Sequence, residues 1–181
     1  EFTGRGVSYC ATCDGAFYKG KTVAAVGGGN AALEEAIFLT RFAEKVYLIH
    51  RRDKFRADHI VIERMKSNPK IEIIYDSIIE KINGTEKVTS VSVFNKKTGK
   101  KSELNLDGVF IFIGYDPNNK ILPKEILNEW GEAEVDMNMQ TSIKGLFAAG
   151  DIRSGSKKQI LMACADGATA AMSAYEHLSS L

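Results

Sequence analysis

Cys10 and Cys13 stand two residues apart, and Asp14 follows the second thiol directly. A Cys-x-x-Cys pair can do dithiol and disulfide chemistry, can supply half of a metal site, or can be a coincidence of spacing. Redox chemistry is the favoured reading, because the small ring closed by such a disulfide opens readily and one thiolate can resolve a mixed disulfide made by the other. A structural zinc site wants four ligands, and the chain has 3 histidines and no second Cys-x-x-Cys, so no metal is expected. Asp14 would place a proton donor and acceptor beside a leaving thiolate; its alternative is a helix cap or turn former. The third cysteine, Cys164, falls in the apolar helical stretch Leu161 to Ala165 and is expected to be a buried, inert thiol.

Close behind the thiols comes Thr22 to Val26, a run of strand length stopped by Gly27-Gly28-Gly29 and followed by Asn30, Ala31 and a helical apolar pattern. Gly27-x-Gly29-x-x-Ala32 fits the dinucleotide fingerprint, in which one glycine makes the turn, the next admits the pyrophosphate, and the small third residue lets helix and strand pack. At the end of the next strand an NAD site would carry a carboxylate for the ribose hydroxyls. Here stand His50, Arg51, Arg52 and, shortly after, Arg56. Guanidiniums at that position suit a 2′-phosphate, so NADPH is expected over NADH; the alternative is a solvated basic turn. A chemical gap remains between the two sites, because reducing a disulfide from nicotinamide needs a mediator such as a flavin.

The elements that must position these groups read as a βαβ opening. The helix runs from Asn30 to about Phe42 with Glu34 and Glu35 early, the second strand is Val46 to His50, a second helix runs from about Arg56 to Met65, and a third strand from Ile71 to Tyr75. Hairpins follow at Ile78 to Ile82, Val88 to Phe94 and Ser102 to Leu106, then a continuous apolar strand over Val109 to Ile113, which Gly114 breaks. Residues 1–116 are expected to be one domain. Residues 117–181 differ in kind: a short helix over Ile121 to Leu127, a short strand over Glu134 to Met137, a buried strand from Leu146 ending on Gly150 and Asp151, and a long helix from Gln159 to about His177. Glu1 to Val7 reads as a connector.

The 181 residues carry 24 basic and 23 acidic side chains for a net charge of +1, which gives no broad attraction to nucleic acid or an anionic membrane. No apolar run reaches the roughly 18 residues of a spanning helix, and a reducing, cytoplasmic home is expected.

The segments Gly4 to Gly15, Gly27 to Asn30 and His50 to Arg56, with the later Thr141 to Asp151 and Lys158-Gln159-Ile160, closely resemble the low-molecular-weight bacterial thioredoxin reductases. The resemblance covers the whole chain. It implies an α/β fold in which a Rossmann-like three-layer NADPH domain with a β-meander is followed by part of a second, FAD-binding Rossmann-like domain. It implies a Cys10 to Cys13 disulfide with Asp14 as the acid. Cofactor contacts would come from Gly27, Gly28, Gly29, Asn30, Ala31, Glu34, His50, Arg51, Arg52, Arg56, Ile113 and Gly114 toward NADPH, and from Gly150, Asp151, Lys158, Gln159 and Ile160 toward FAD. Thioredoxin is the family's usual acceptor and a homodimer its usual form. Ala31 stands where relatives often carry a small hydroxyl residue. The family's opening FAD half, with its own glycine loop, is expected to precede Glu1, so the chain is expected to bind NADPH and to hold FAD weakly or not at all. The alternatives are the flavoprotein component of an alkyl hydroperoxide reductase, which shares this core, and an NADPH-binding redox module.

Overall fold

A computed structural model describes residues 2–180. It divides into two compact units, one ending at Gly114 and the other beginning at Tyr115.

The first unit is built on a five-stranded sheet with the order β1 (Val7–Ser8), β8 (Gly108–Phe112), β2 (Thr22–Gly27), β3 (Lys45–Ile49) and β4 (Ile71–Ile74). All its pairings are parallel. Such strands are covered on both faces, which is why β2 and β8 read as nearly unbroken apolar runs rather than alternations. One face packs on α2 (Asn30–Leu39) and α3 (His59–Lys66) through Val23, Ala25, Leu33, Leu48, Met65 and Phe110. The opposite face, with Ala24, Ile49 and Val109, packs on Val88, Val91 and Val93 of an antiparallel sheet. That sheet has the order β5 (Ser77–Gly84), β6 (Val88–Asn95), β7 (Lys101–Asn105). Helix, parallel sheet and meander are therefore the three expected layers.

Three local differences from the sequence have physical causes. Val7, expected to end a connector, is instead in a strand: Val7 and Ser8 pair with Val109 and Phe110, so the approach to the thiols is a strand of the sheet. The first long helix ends at Leu39 because the Thr40 hydroxyl folds back to donate to Ile37 O at 2.6 Å, while Lys70 Nζ caps Thr40 O and Ala43 O at 2.8 and 3.0 Å. The second starts at His59 rather than Arg56, since Asp58 is held by Asn30 in a reciprocal pair, its N–H donating to Oδ1 at 2.7 Å and its carboxylate accepting from Nδ2 at 2.8 Å.

In the second unit, α4 (Ile160–Ser179) forms as its alanine-rich pattern predicts. The other expectations are corrected. Pro123 cannot sit inside a helix, and only a 3-10 turn, Lys124–Ile126, forms after it. Glu134 to Met137 is no strand, because Asp136 turns the chain by accepting from the N–H groups of Asn138 and Gln140 at 2.8 and 2.9 Å. Leu146 to Asp151 forms no strand: Leu146 to Ala149 makes no ladder, Phe147 bridging only Gln140, and Gly150–Ile152 coil into a 3-10 turn. Cys164 is an exposed free thiol, not a buried one, because α4 turns that side of its surface outward with Leu161.

Candidate active site

The thiols are set by β1 and by a four-residue helix α1, Ala11–Asp14. Cys10 is its N-cap, and its Sγ accepts the N–H of Cys13 at 3.0 Å. The two sulfurs form a disulfide. Ala11, fully buried in the core under the helices, pins the helix down, while Cys13 and Thr12 face outward. Asp14 ends the helix, and its Oδ2 accepts from the hydroxyl of Ser8 at 2.6 Å. Tyr9 and Phe17, on either side of the pair in sequence, are 62% and 73% exposed. Tyr18 packs edge-on against Phe110, and burial, reinforced by the charges of Asp14 and Asp107, raises its pKa.

Behind α1, Glu35 of α2 accepts a hydrogen bond from the Ala11 backbone N–H. Its second oxygen, Oε2, is buried without a partner. Burial raises the Glu35 pKa, the Ala11 bond opposes this, and the charge of Glu34 adds to it. Glu35 thus ties the redox helix to the nucleotide helix; its place one helical turn inside the glycine loop was the only signal in the sequence.

The dinucleotide crevice lies at the carboxyl ends of β2 and β8, where the strand order reverses: β3 continues on one side of β2 and β8 on the other. A cavity of about 750 Å³ opens there, lined by Gly27, Gly28, Gly29, Asn30, Ala31, His50, Arg51, Arg56, Ile113 and Gly114, which brings together most of the residues expected for NADPH. A Cβ on Gly27 would meet Ala32 Cβ and Phe112 O at 2.5 Å, and one on Gly28 would run into the His50 ring. Gly29 caps α2 in extended backbone with no side chain on the helix N-terminus, which leaves those N–H groups for phosphate oxygens. Arg51 and Arg56 are exposed at the rim. The residues therefore fit a phosphorylated dinucleotide.

His50 is buried, with Nε2 2.9 Å from Lys54 O and its ring stacked on Phe55 at 5.0 Å between centroids, so it shapes the arginine loop. Arg52 and Glu34 are exposed and do not line the cavity. The sequence did not single out its far wall, Ser77 to Ile82 of β5 with Val109 and Ile111; these read only as strand and core.

In the second unit a cavity of about 560 Å³ is lined by Asp151 and Lys158 together with Tyr115, Asp116, Asn118 and Ile121. Gly150, Gln159 and Ile160 lie outside its lining. Gly150, at φ +82°, makes the turn that presents Asp151, which is exposed and makes no hydrogen bond among the described residues. Desolvation works against the Lys158 ammonium, but hydrogen bonds to Tyr115 and Glu132 outweigh it and its pKa is raised. An available carboxylate beside a held cation in a partly apolar cleft fits the hydroxyl-bearing part of a flavin. Among the described residues no cluster could hold a metal, and no helix is long and apolar enough to cross a membrane.

A family model described as pyridine nucleotide-disulphide oxidoreductase matches residues 1–168. The chain is 50% identical over 185 residues to a thioredoxin reductase of Helicobacter pylori, covering 98% of this chain and 60% of that protein. It is 46% identical over 185 residues to a thioredoxin reductase of Bacillus subtilis, covering 100% of this chain and 58% of that one. Among solved structures, thioredoxin reductase from Streptococcus pyogenes superposes with a TM-score of 0.93 at 44% identity, over 98% of this chain and 58% of that chain. The chain thus spans about 60% of the length of the curated relatives it matches.

Proposed function

Because the chain belongs to the pyridine nucleotide-disulphide oxidoreductases, we propose that it is the NADPH-binding and dithiol-bearing part of a thioredoxin reductase, together with a portion of the flavin site. The observation that carries this reading is that one folding unit holds both a disulfide in α1 and a phosphate-ready crevice at the start of α2. Arg51 and Arg56 bind the 2′-phosphate at the rim, and the N–H groups at the start of α2 take the pyrophosphate. Asp151 and Lys158 hold the flavin's polar chain. A flavin, when bound, supplies the means to accept a hydride and pass two electrons to a disulfide.

Cys10 and Cys13 then exchange with the disulfide of thioredoxin, with Asp14 carrying the proton. The exposed rings of Tyr9 and Phe17 give a protein acceptor an apolar footing beside the sulfurs. Three cysteines, one of them an exposed free thiol, suit a reducing compartment such as the cytoplasm. The working form is a homodimer, as in the family resemblance.

The test is to measure NADPH and NADH binding to the purified chain, FAD uptake, and exchange between the reduced chain and oxidised thioredoxin. Binding that prefers NADPH, with thiol exchange and little flavin retained, is the expected result. A chain that binds both nucleotides alike and fails to reduce thioredoxin would sink the proposal.

A further inference from the structure

Ser8 is a buried hydroxyl in the middle of the redox site, 4% exposed on strand β1. Its Oγ accepts the N–H of Cys10 at 3.1 Å. That bond occupies one lone pair and leaves the hydroxyl's single proton to be given elsewhere. Two acceptors lie in reach, Cys10 O at 3.3 Å and Asp14 Oδ2 at 2.6 Å. The shorter bond, to a charged acceptor, is the stronger by a wide margin. One hydroxyl therefore connects the backbone of the first cysteine to the carboxylate that follows the second.

The anchoring matters as much as the contact. Asp14 closes a helix of four residues that must adjust whenever the sulfur bond opens, whereas Ser8 is fixed to the parallel sheet by the register of β1 against β8, opposite Phe110. Without Ser8 the carboxylate could swing into solvent.

We propose that Ser8 is the positioning residue for Asp14, holding Oδ2 from the sheet so that Oδ1 faces the sulfurs and carries the proton exchanged by the dithiol. This rests on the reading of Asp14 as the acid and base of that dithiol. In the exchange, one cysteine thiolate attacks the acceptor disulfide, whose S–S bond breaks as a mixed disulfide forms. The departing thiolate takes from solvent a proton equivalent to the one that the attacking cysteine released there on becoming a thiolate. The second cysteine gives its thiol proton to Asp14 Oδ1 and attacks the mixed disulfide, closing the Cys10 to Cys13 bond while the second acceptor thiolate leaves with that proton. The dithiol loses two electrons and the acceptor gains them.

The test needs neither flavin nor nucleotide. A Cys164→Ser background removes the exposed third thiol; the chain is reduced with dithiothreitol, freed of it, and mixed with 2-hydroxyethyl disulfide, whose basic leaving thiolates need protons. Asp14→Asn is expected to slow closure of the disulfide by about tenfold to a hundredfold, and Ser8→Ala by about tenfold. Combined, the two should be no slower than Asp14→Asn alone, because both remove one function. Slowings that multiply would mean that Ser8 serves the Cys10 backbone only, and would overturn the proposal while leaving Asp14 its role. Asp14→Asn at the parent's rate would overturn the acid reading and this one with it. NADPH binding reports that each variant is folded. Should Ser8→Ala lose that binding, the equal-shaped pair Ser8→Thr and Ser8→Val carries the comparison: Thr is expected to restore the rate that Val loses, and equal slowing by both would refute the hydroxyl's part.

Discussion

The backbone N–H of Arg56 donates to the carbonyl of Gly28 at 2.8 Å, so the arginine loop and the glycine loop are one hydrogen-bonded unit. The His50 ring fills the space where a Gly28 side chain would project. Gly28→Ala must therefore push His50 off Phe55 and Lys54 O, and with it the rim that carries Arg51. NADPH affinity is expected to fall by more than about tenfold, since charge-assisted, bidentate phosphate bonds depend on the placement of their donors. His50 is buried and Phe55 packs on the core, so this overpacking should also cost about 1–3 kcal/mol and lower the melting temperature. Titration of NADPH beside a melting curve checks both; unchanged affinity would show that the two loops are not coupled.

Arg51 and Arg56 line the cavity, whereas Arg52 does not. A guanidinium grips a phosphate with two parallel bonds that an ammonium cannot reproduce. Arg51→Lys and Arg56→Lys should weaken NADPH by about threefold to tenfold and leave NADH nearly unchanged, while Arg52→Lys should affect neither by more than about twofold. Direct titration of both nucleotides decides. Equal losses for both nucleotides in Arg51→Lys would remove the 2′-phosphate from this rim.

How much of this was legible in the sequence depended on whether local pattern or long-range pairing set the structure. The glycine loop, the arginine rim and the core strands β2, β3 and β8 announce themselves, because burial on both faces writes an apolar run and the fingerprint is local. Asn30 and Asp58 clamp each other across 28 residues, and nothing in either stretch signals the partner. Val7 read as the end of a connector because a two-residue strand has no periodicity to see. In the second unit, Leu146 to Asp151 has the composition of a strand, yet the ladder needs a partner that pattern cannot supply.

Glu35 offers a pH test of the tie between α1 and α2. Its pKa lies above the ordinary 4.5, raised chiefly by burial. From the ordinary value up to the raised one, the folded chain holds a proton that the unfolded chain has released, so stability falls as the pH rises through that window. Above it the cost is complete. Glu35→Gln keeps an acceptor for the Ala11 N–H and replaces a carboxylate oxygen buried without a donor by a neutral amide. The variant should melt higher than the parent at neutral pH, with the gap closing as the pH drops below the ordinary glutamate value. Melting curves across that range check it; a less stable variant at neutral pH would mean that the charge itself holds the helices together.

Arg153 and Asp166 form the matching clamp behind Asp151. Arg153 Nε donates to Asp166 Oδ2 at 2.6 Å and Nη2 to Oδ1 at 2.9 Å, while the Gly150 N–H reaches Oδ2 at 3.2 Å. Asp166 is 5% exposed, and the Arg153 hydrogen bonds, with help from the Gly150 N–H, hold its pKa below the ordinary 3.8. A depressed acid stabilises the fold fully above its unfolded value and loses that contribution as the pH falls through the lowered one. Asp166→Asn turns one acceptor into a donor facing the guanidinium, so the Gly150 turn loosens at every pH. Amide exchange at Gly150 should quicken by about tenfold or more at neutral pH. The difference between parent and variant should stay flat from neutral pH down to the ordinary aspartate value and shrink only below it, where the parent's own carboxylate takes up its proton. Unaltered Gly150 exchange in Asp166→Asn would mean that the turn presenting Asp151 is held by the chain around it and not by this pair.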